Sequence, residues 1–155
     1  VSGSVEGLVC VHTVRRGEFV RAFRPPRLGD DKAAISRVAI DATGNLIVHT
    51  SDGGLYSYTV NGVELASIDA GEVLHDLKLC SNGEFVVTGG EGCKVIIRTF
   101  ADLVVQAELD LSRHGPICSI AMTPDELNPI NQYLFVGSED GSITVVDRPP
   151  DRSSS

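Results

Sequence analysis

The sequence predicts an all-β fold, a partial β-propeller of two complete four-stranded blades flanked by two incomplete ones. Three observations carry that prediction. A turn phrase recurs, in which a strand ends in small residues, a glycine-containing turn follows and an alternating strand leaves it. It reads Ser4-Val5-Glu6-Gly7, Ser51-Asp52-Gly53, Glu91-Gly92-Cys93 and Glu139-Asp140-Gly141. The anchors Gly7, Gly53, Cys93 and Gly141 stand 46, 40 and 48 residues apart, and a repeat of that length built from short strands is the signature of blades. Finally, apolar–polar alternation and turn signals dominate, and helical periodicity is nearly absent.

The elements follow in order. Leu8 to Thr13 and Glu18 to Phe23 read as two strands joined at Arg16-Gly17, stopped by Pro25-Pro26 and a polar loop from Arg27 to Lys32. Ile35 to Ile40 opens the first full blade. The turn Asp41-Ala42-Thr43-Gly44 has Asp first and Gly last, as a type I turn prefers. Leu46 to Thr50 and Leu55 to Val60 follow, and Asn61-Gly62, the strongest hairpin signal in the chain, leads into Glu64 to Ile68. The next blade repeats the order with Leu74 to Leu79, Phe85 to Thr88, Val95 to Phe100 and Val104 to Leu109. The last has Ile117 to Met122, a long loop from Thr123 to Asn131, Tyr133 to Val136, and Ile143 to Asp147. The expected organisation is therefore a propeller portion over 1–148, with blades near 1–24, 35–69, 73–110 and 116–148, and a disordered tail over 149–155.

In this reading the first blade lacks its inner strands and the last lacks its outer strand. Propellers protect their sheet edges by closing the ring. The chain, which starts at Val1 inside a blade phrase, is expected to be part of something longer, latched by an upstream strand. Expressed alone it is expected to be poorly stable or to aggregate.

The phrase Gly137-Ser138-Glu139-Asp140-Gly141-Ser142-Ile143-Thr144-Val145-Val146-Asp147 resembles the end of a WD repeat, with Val146 where Trp is the rule. His12, Tyr58 and Arg98 hold the matching positions in the other blades. The resemblance implies a polar network in the last blade from Asp140, Ser138 and His114. A narrower similarity lies in Phe19-Val20-Arg21-Ala22-Phe23, Val60-Asn61-Gly62-Val63-Glu64-Leu65-Ala66 and Val86-Val87-Thr88-Gly89-Gly90. These phrases, in this order, resemble the C-terminal propeller of BEACH-domain proteins of the neurobeachin type. The resemblance covers the chain from about Ser2 to Val146. It implies a non-catalytic scaffold in vesicle trafficking and membrane-protein sorting, cytoplasmic or peripheral to membranes. The implied partners are proteins, among them the BEACH and PH-like domains ahead of the propeller in the same chain.

Composition narrows the function classes. The net charge of −8 and pI near 4.8 disfavour a nucleic-acid surface, which needs concentrated Lys and Arg. No apolar run approaches the roughly 20 residues of a membrane span, so no direct membrane insertion is expected. Cys10, Cys80, Cys93 and Cys118 contain no CxxC pair and read as free thiols in a reducing compartment.

Chemistry-bearing patterns are few. The turn acids Glu6, Asp52, Glu91 and Asp140 form either a carboxylate arc for a basic partner or cation, or simply acceptors for their own turn amides. The second reading is favoured, because one acid per blade lies too far from the next for a calcium cage. His49, Ser51 and Asp52, like His75, Asp76 and Ser81, supply the residue types of a hydrolase triad. Neighbours along a strand face opposite ways, however, and no nucleophile elbow accompanies them. The histidines show no metal-ligand spacing with the cysteines. Neither a catalytic residue nor a metal or cofactor is expected. Arg15, Arg16, Arg24 and Arg27, interleaved with Phe19 and Phe23, form the one basic cluster, read as a solvated rim or as a contact for an acidic peptide. Loop geometry nominates Arg27, Asp30, Asp31, Lys32, Asp52, Glu72, Glu91, Arg113, His114 and Asp140 as partner-binding residues on one face of the ring. The alternatives are an unrelated WD-repeat adaptor of a ubiquitin-ligase or coat complex, and an enzyme with its site in the propeller mouth built by other blades.

Overall fold

A computed structural model describes residues 1–26, 33–123 and 133–147, and among these the chain forms fourteen strands and no helix. The strands make four antiparallel meanders in which sequence neighbours are sheet neighbours. The first sheet contains β1 (Ser2–Gly3), β2 (Val9–His12) and β3 (Phe19–Phe23). The second contains β4 (Ile35–Ile40), β5 (Asn45–Thr50), β6 (Gly54–Thr59) and β7 (Glu64–Asp69). β8 (Leu74–Leu79), β9 (Phe85–Gly90), β10 (Lys94–Thr99) and β11 (Val105–Asp110) make the third, and β12 (Ile117–Met122), β13 (Tyr133–Ser138) and β14 (Ile143–Asp147) the fourth. Two full blades between two three-stranded ones is the partial propeller that the sequence predicts.

One expectation needs correction. The first sheet does not lack all its inner strands: Ser2 and Gly3 pair with Cys10 and Val9, so a two-residue stub of the second strand is present. The anticipated tail lies outside the described residues.

The core is layered between sheets. Alternation on β5 sends Leu46 and Val48 toward the first sheet, where they pack with Val9, Tyr56 and Tyr58, and sends Ile47 toward the third, where it meets Leu55, Leu77 and Val86. On β9 the same split puts Val86 in that layer and Val87 in the next, with Val95, Ile120 and Val136. Each layer is shared by two consecutive sheets. This is the radial stacking of blades.

The inner strands β4, β8 and β12 lie side by side and are joined by polar bonds. Arg37 donates through Nε to the His75 carbonyl at 2.6 Å, and the Ile120 amide donates to Asp76 Oδ2 at 2.8 Å. Among the described residues the fourth sheet ends at β14 with no strand beyond it, and Phe135, Ile143 and Val145 are exposed there.

Turn chemistry behaves as read, with one refinement. All four repeat anchors take the left-handed conformation, at φ 76° for Gly7, 90° for Gly53, 58° for Cys93 and 83° for Gly141. Cys93 therefore does occupy a glycine position. The Asn61-Gly62 hairpin is wider than a two-residue turn. The Gly62 amide donates to the Thr59 carbonyl at 2.8 Å, Gly62 sits at φ 77°, and Thr59 then pairs with Val63. That is a three-residue loop with glycine in the left-handed position. At the same end of the blade, Asp41 Oδ1 accepts the amides of Thr43 and Asn45 at 2.9 Å each. Burial disfavours its charge, but these bonds and the Thr43 hydroxyl outweigh it and hold the carboxyl below its ordinary value.

Candidate protein-binding rim

In the two four-stranded meanders the turn between the second and third strands lies at the same sheet end as the connection that leaves the fourth strand, and the Leu111 amide donates to the Cys93 carbonyl there. Asp69 pairs with Gly54, and the Ala70 amide donates to the Gly53 carbonyl. The same end also receives the connection entering the next inner strand. The Glu91 amide donates to the Val73 carbonyl, and the Glu139 and Asp140 amides donate to the carbonyls of Pro116 and His114. The turns holding Asp52, Glu91 and Asp140, and the connections holding Glu72, Arg113 and His114, therefore build one rim. Arg27, Asp30, Asp31 and Lys32 lie outside the described residues.

Along the rim the nominated residues form local groups. Glu72 reaches from its connection to the next turn, where Oε2 accepts the Gly92 amide at 2.6 Å, and Glu91 in that turn lies 4.0 Å from His75 Nε2. Asp140 Oδ2 is 3.0 Å from His114 Nδ1, and its Oδ1 accepts the Ser142 amide at 2.9 Å. Ser142 first, and then His114, hold this carboxyl at about 2. Its charged form therefore supports the turn above the ordinary carboxylate value, and that support is lost as pH falls toward 2. The polar pair implied by the WD-like phrase is thus present. Ser138 is outside it: its buried Oγ has no hydrogen-bond partner among the described residues. Asp52 accepts the Thr50 hydroxyl and the Gly54 amide and stands apart from both groups.

The turn acids serve their own turns first, and among the described residues no three His, Cys, Asp or Glu converge as metal ligands. Neither triad combination assembles. His49 is engaged on both ring nitrogens, by Gly54 and Leu74, while Ser51 Oγ accepts the Ala34 amide. Asp76 is bonded to Leu77, Lys78 and Ile120 rather than to His75.

The basic cluster is also a correction. Arg15 and Arg16 sit at the β2–β3 turn, and Arg16 is 3.7 Å from Glu18. Arg24 follows the far end of β3 and donates to the Glu6 carbonyl. Phe23 is turned inward, 4.7 Å from Tyr58. An extended strand separates what the sequence places close together.

The rim gains further acids that the sequence reading did not single out. Asp69, Asp110 and Glu139 are exposed at the same end, as is Glu6 of the turn acids. Their signal was their place beside the turns already identified. Arg98 was noted only as a substitute for Trp. It is 5% exposed, its Nη1 donates to Thr88 Oγ1 at 2.8 Å, and burial lowers its proton affinity.

Comparison with known proteins places these features. The family model described as the neurobeachin beta propeller domain matches residues 1–149. BEACH domain-containing protein B of Arabidopsis thaliana is 28% identical over 158 residues, covering 100% of this chain and 6% of its own length. The chain thus spans a small part of that relative. Among solved structures, the computationally designed Ika4 protein superposes with a TM-score of 0.72 at 13% identity, covering 95% of this chain and 83% of its own. The designed Ika8 protein gives 0.70 at 14%, covering 94% and 42%. At those identities the likeness is one of fold alone.

Proposed function

The chain belongs to the neurobeachin beta propeller family, and on that premise we propose that it is a non-catalytic protein–protein interaction module of a BEACH-type scaffold in vesicle trafficking and membrane-protein sorting. It works in the cytoplasm or peripheral to membranes. The observation that carries the reading is the rim: connections from successive sheets converge on one end, and the carboxylates of Asp52, Asp69, Glu72, Asp110 and Asp140 there are held in place by backbone amides. Acids outnumber bases there among the described residues, as Glu6, Asp52, Asp69, Glu72, Glu91, Asp110, Glu139 and Asp140 stand beside Arg24, His75, Lys94, Arg113 and His114. Such a surface suits a basic partner segment, in the same chain or another protein. Charge complementarity of this kind acts on association rate and partner choice.

The test is charge reversal in the full-length protein at Asp52, Glu91, Arg113 and Asp140, singly and together, with recovered partners quantified by mass spectrometry. Single reversals should weaken recovery of at least one partner a few-fold, and more strongly at low salt, where screening is least. An unchanged partner set for the fourfold variant removes the proposal.

A further inference from the structure

We propose that His49 is a proton-sensitive latch between the second and third sheets, shut while its imidazole is neutral and released when the ring takes up a proton. The ring is fully buried on β5, opposite Arg37 of β4 and Leu55 of β6. Nδ1 lies 3.0 Å from the Gly54 carbonyl oxygen, and Nε2 lies 3.3 Å from the Leu74 amide nitrogen at the start of β8. A carbonyl only accepts and an amide only donates. Nδ1 must therefore carry the hydrogen and Nε2 must be bare. The neutral Nδ1–H tautomer is the one form that satisfies both neighbours. A second proton would set two N–H groups against each other inside a buried layer.

The latch is particular to this sheet. By strand register, the positions equivalent to His49 are Gly89 in the third sheet and Gly137 in the fourth. A Cβ at Gly89 would come within 2.7 Å of Ile117, so at this position that junction is closed by apolar packing and holds no imidazole, its polar bridge being the Asp76 carboxylate to the Ile120 amide.

The charges around His49 divide. Burial is the largest influence and opposes protonation; the Gly54 carbonyl favours it, the Arg37 guanidinium adds to burial, and Asp52 in the β5–β6 turn works against both. On β8, Asp76 spends its carboxylate on Leu77, Lys78 and Ile120, and His75 turns to Glu91. The folded ring binds a proton less readily than the unfolded one. The latch therefore contributes fully above an ordinary histidine value of about 6.5 and is lost as pH falls below it. Its release frees the start of β8 and the connection before it, which carries Glu72 to the Gly92 amide. Acid thereby loosens the middle of the rim.

Hydrogen exchange in the full-length protein tests this directly. Between pH 7.5 and 5.5, after correction for intrinsic rates, exchange in the peptide spanning 70–79 should rise about tenfold, the factor expected when only the opened form takes up the proton. In His49→Gln, whose amide oxygen can accept the Leu74 N–H without titrating, the rise should vanish. No rise in the wild type, or an equal rise in the variant, overturns the proposal. Should the variant fail to fold, exchange of the His49 ring C2 hydrogen in the wild-type protein decides. A midpoint below about 6.5 supports the latch, and one at or above it overturns the latch.

Discussion

Replacing Tyr56 with alanine is expected to cost about 3 to 5 kcal/mol of stability, the range for removing a large aromatic from a packed core. Tyr56 is among the largest fully buried side chains, and it fills the layer between the first and second sheets. Its ring stacks 6.4 Å from that of Tyr58, which in turn meets Phe23 of the first sheet. Truncation leaves a cavity whose walls belong to two sheets, and neither sheet can close over it alone. Tyr56→Phe keeps the ring and loses only the hydroxyl that bonds to Thr50, so it should cost about 1 kcal/mol. Urea unfolding of the propeller-containing protein separates the two. A loss below about 1 kcal/mol for alanine would mean that the layer is not a core.

Gly90→Ala should be nearly as damaging, at about 3 kcal/mol or more, because overpacking at a rigid contact has no outlet. A Cβ at Gly90 would lie 2.0 Å from the Val73 carbonyl oxygen and 2.8 Å from the Leu74 Cα. Both are backbone atoms that no rotamer change can move aside. The end of β9 must therefore be bare for the connection into β8 to lie against it. Gly71→Ala is the control: nothing lies within 4 Å of its Cβ position, and the cost there is the left-handed φ of 72° alone, about 1 kcal/mol. Gly90, unlike Gly71, has no left-handed φ, so equal losses at the two sites would show that the close approach does not set the requirement.

The blades were legible in the sequence because each strand is half of an alternating pattern facing two different neighbours, as Leu46 and Ile47 do. Strand ends were less legible. The predicted strands stop at Thr88 and Val136, yet β9 and β13 run on through Gly90 and Ser138. Their smallness answers the adjacent inner strand rather than a bend. β1 escaped notice because two small residues carry no alternation. At the rim, turn acids could be placed from the repeat phrase, and His114 with Asp140 came together as the WD-like pattern implies. His49 could not be read as a bridge, since its partner Leu74 is 25 residues away on another sheet. The glycines at the equivalent positions were the available hint. Arg24 and Arg16 show the converse error, in which nearness along the chain was taken for nearness in space.

The central claim is that these sheets are blades of a ring, so that the free edge of β14 is paired in the full-length protein. Within the β13–β14 pair, the Ser138 amide donates to the Ser142 carbonyl. By the alternation of antiparallel ladders, this turns the amides of Ile143, Val145 and Asp147 toward the open edge. Residue-resolved hydrogen exchange on the full-length protein should find those three amides protected as strongly as those of Val136 and Leu134. Exchange at the rate of free, solvated amides would contradict the ring.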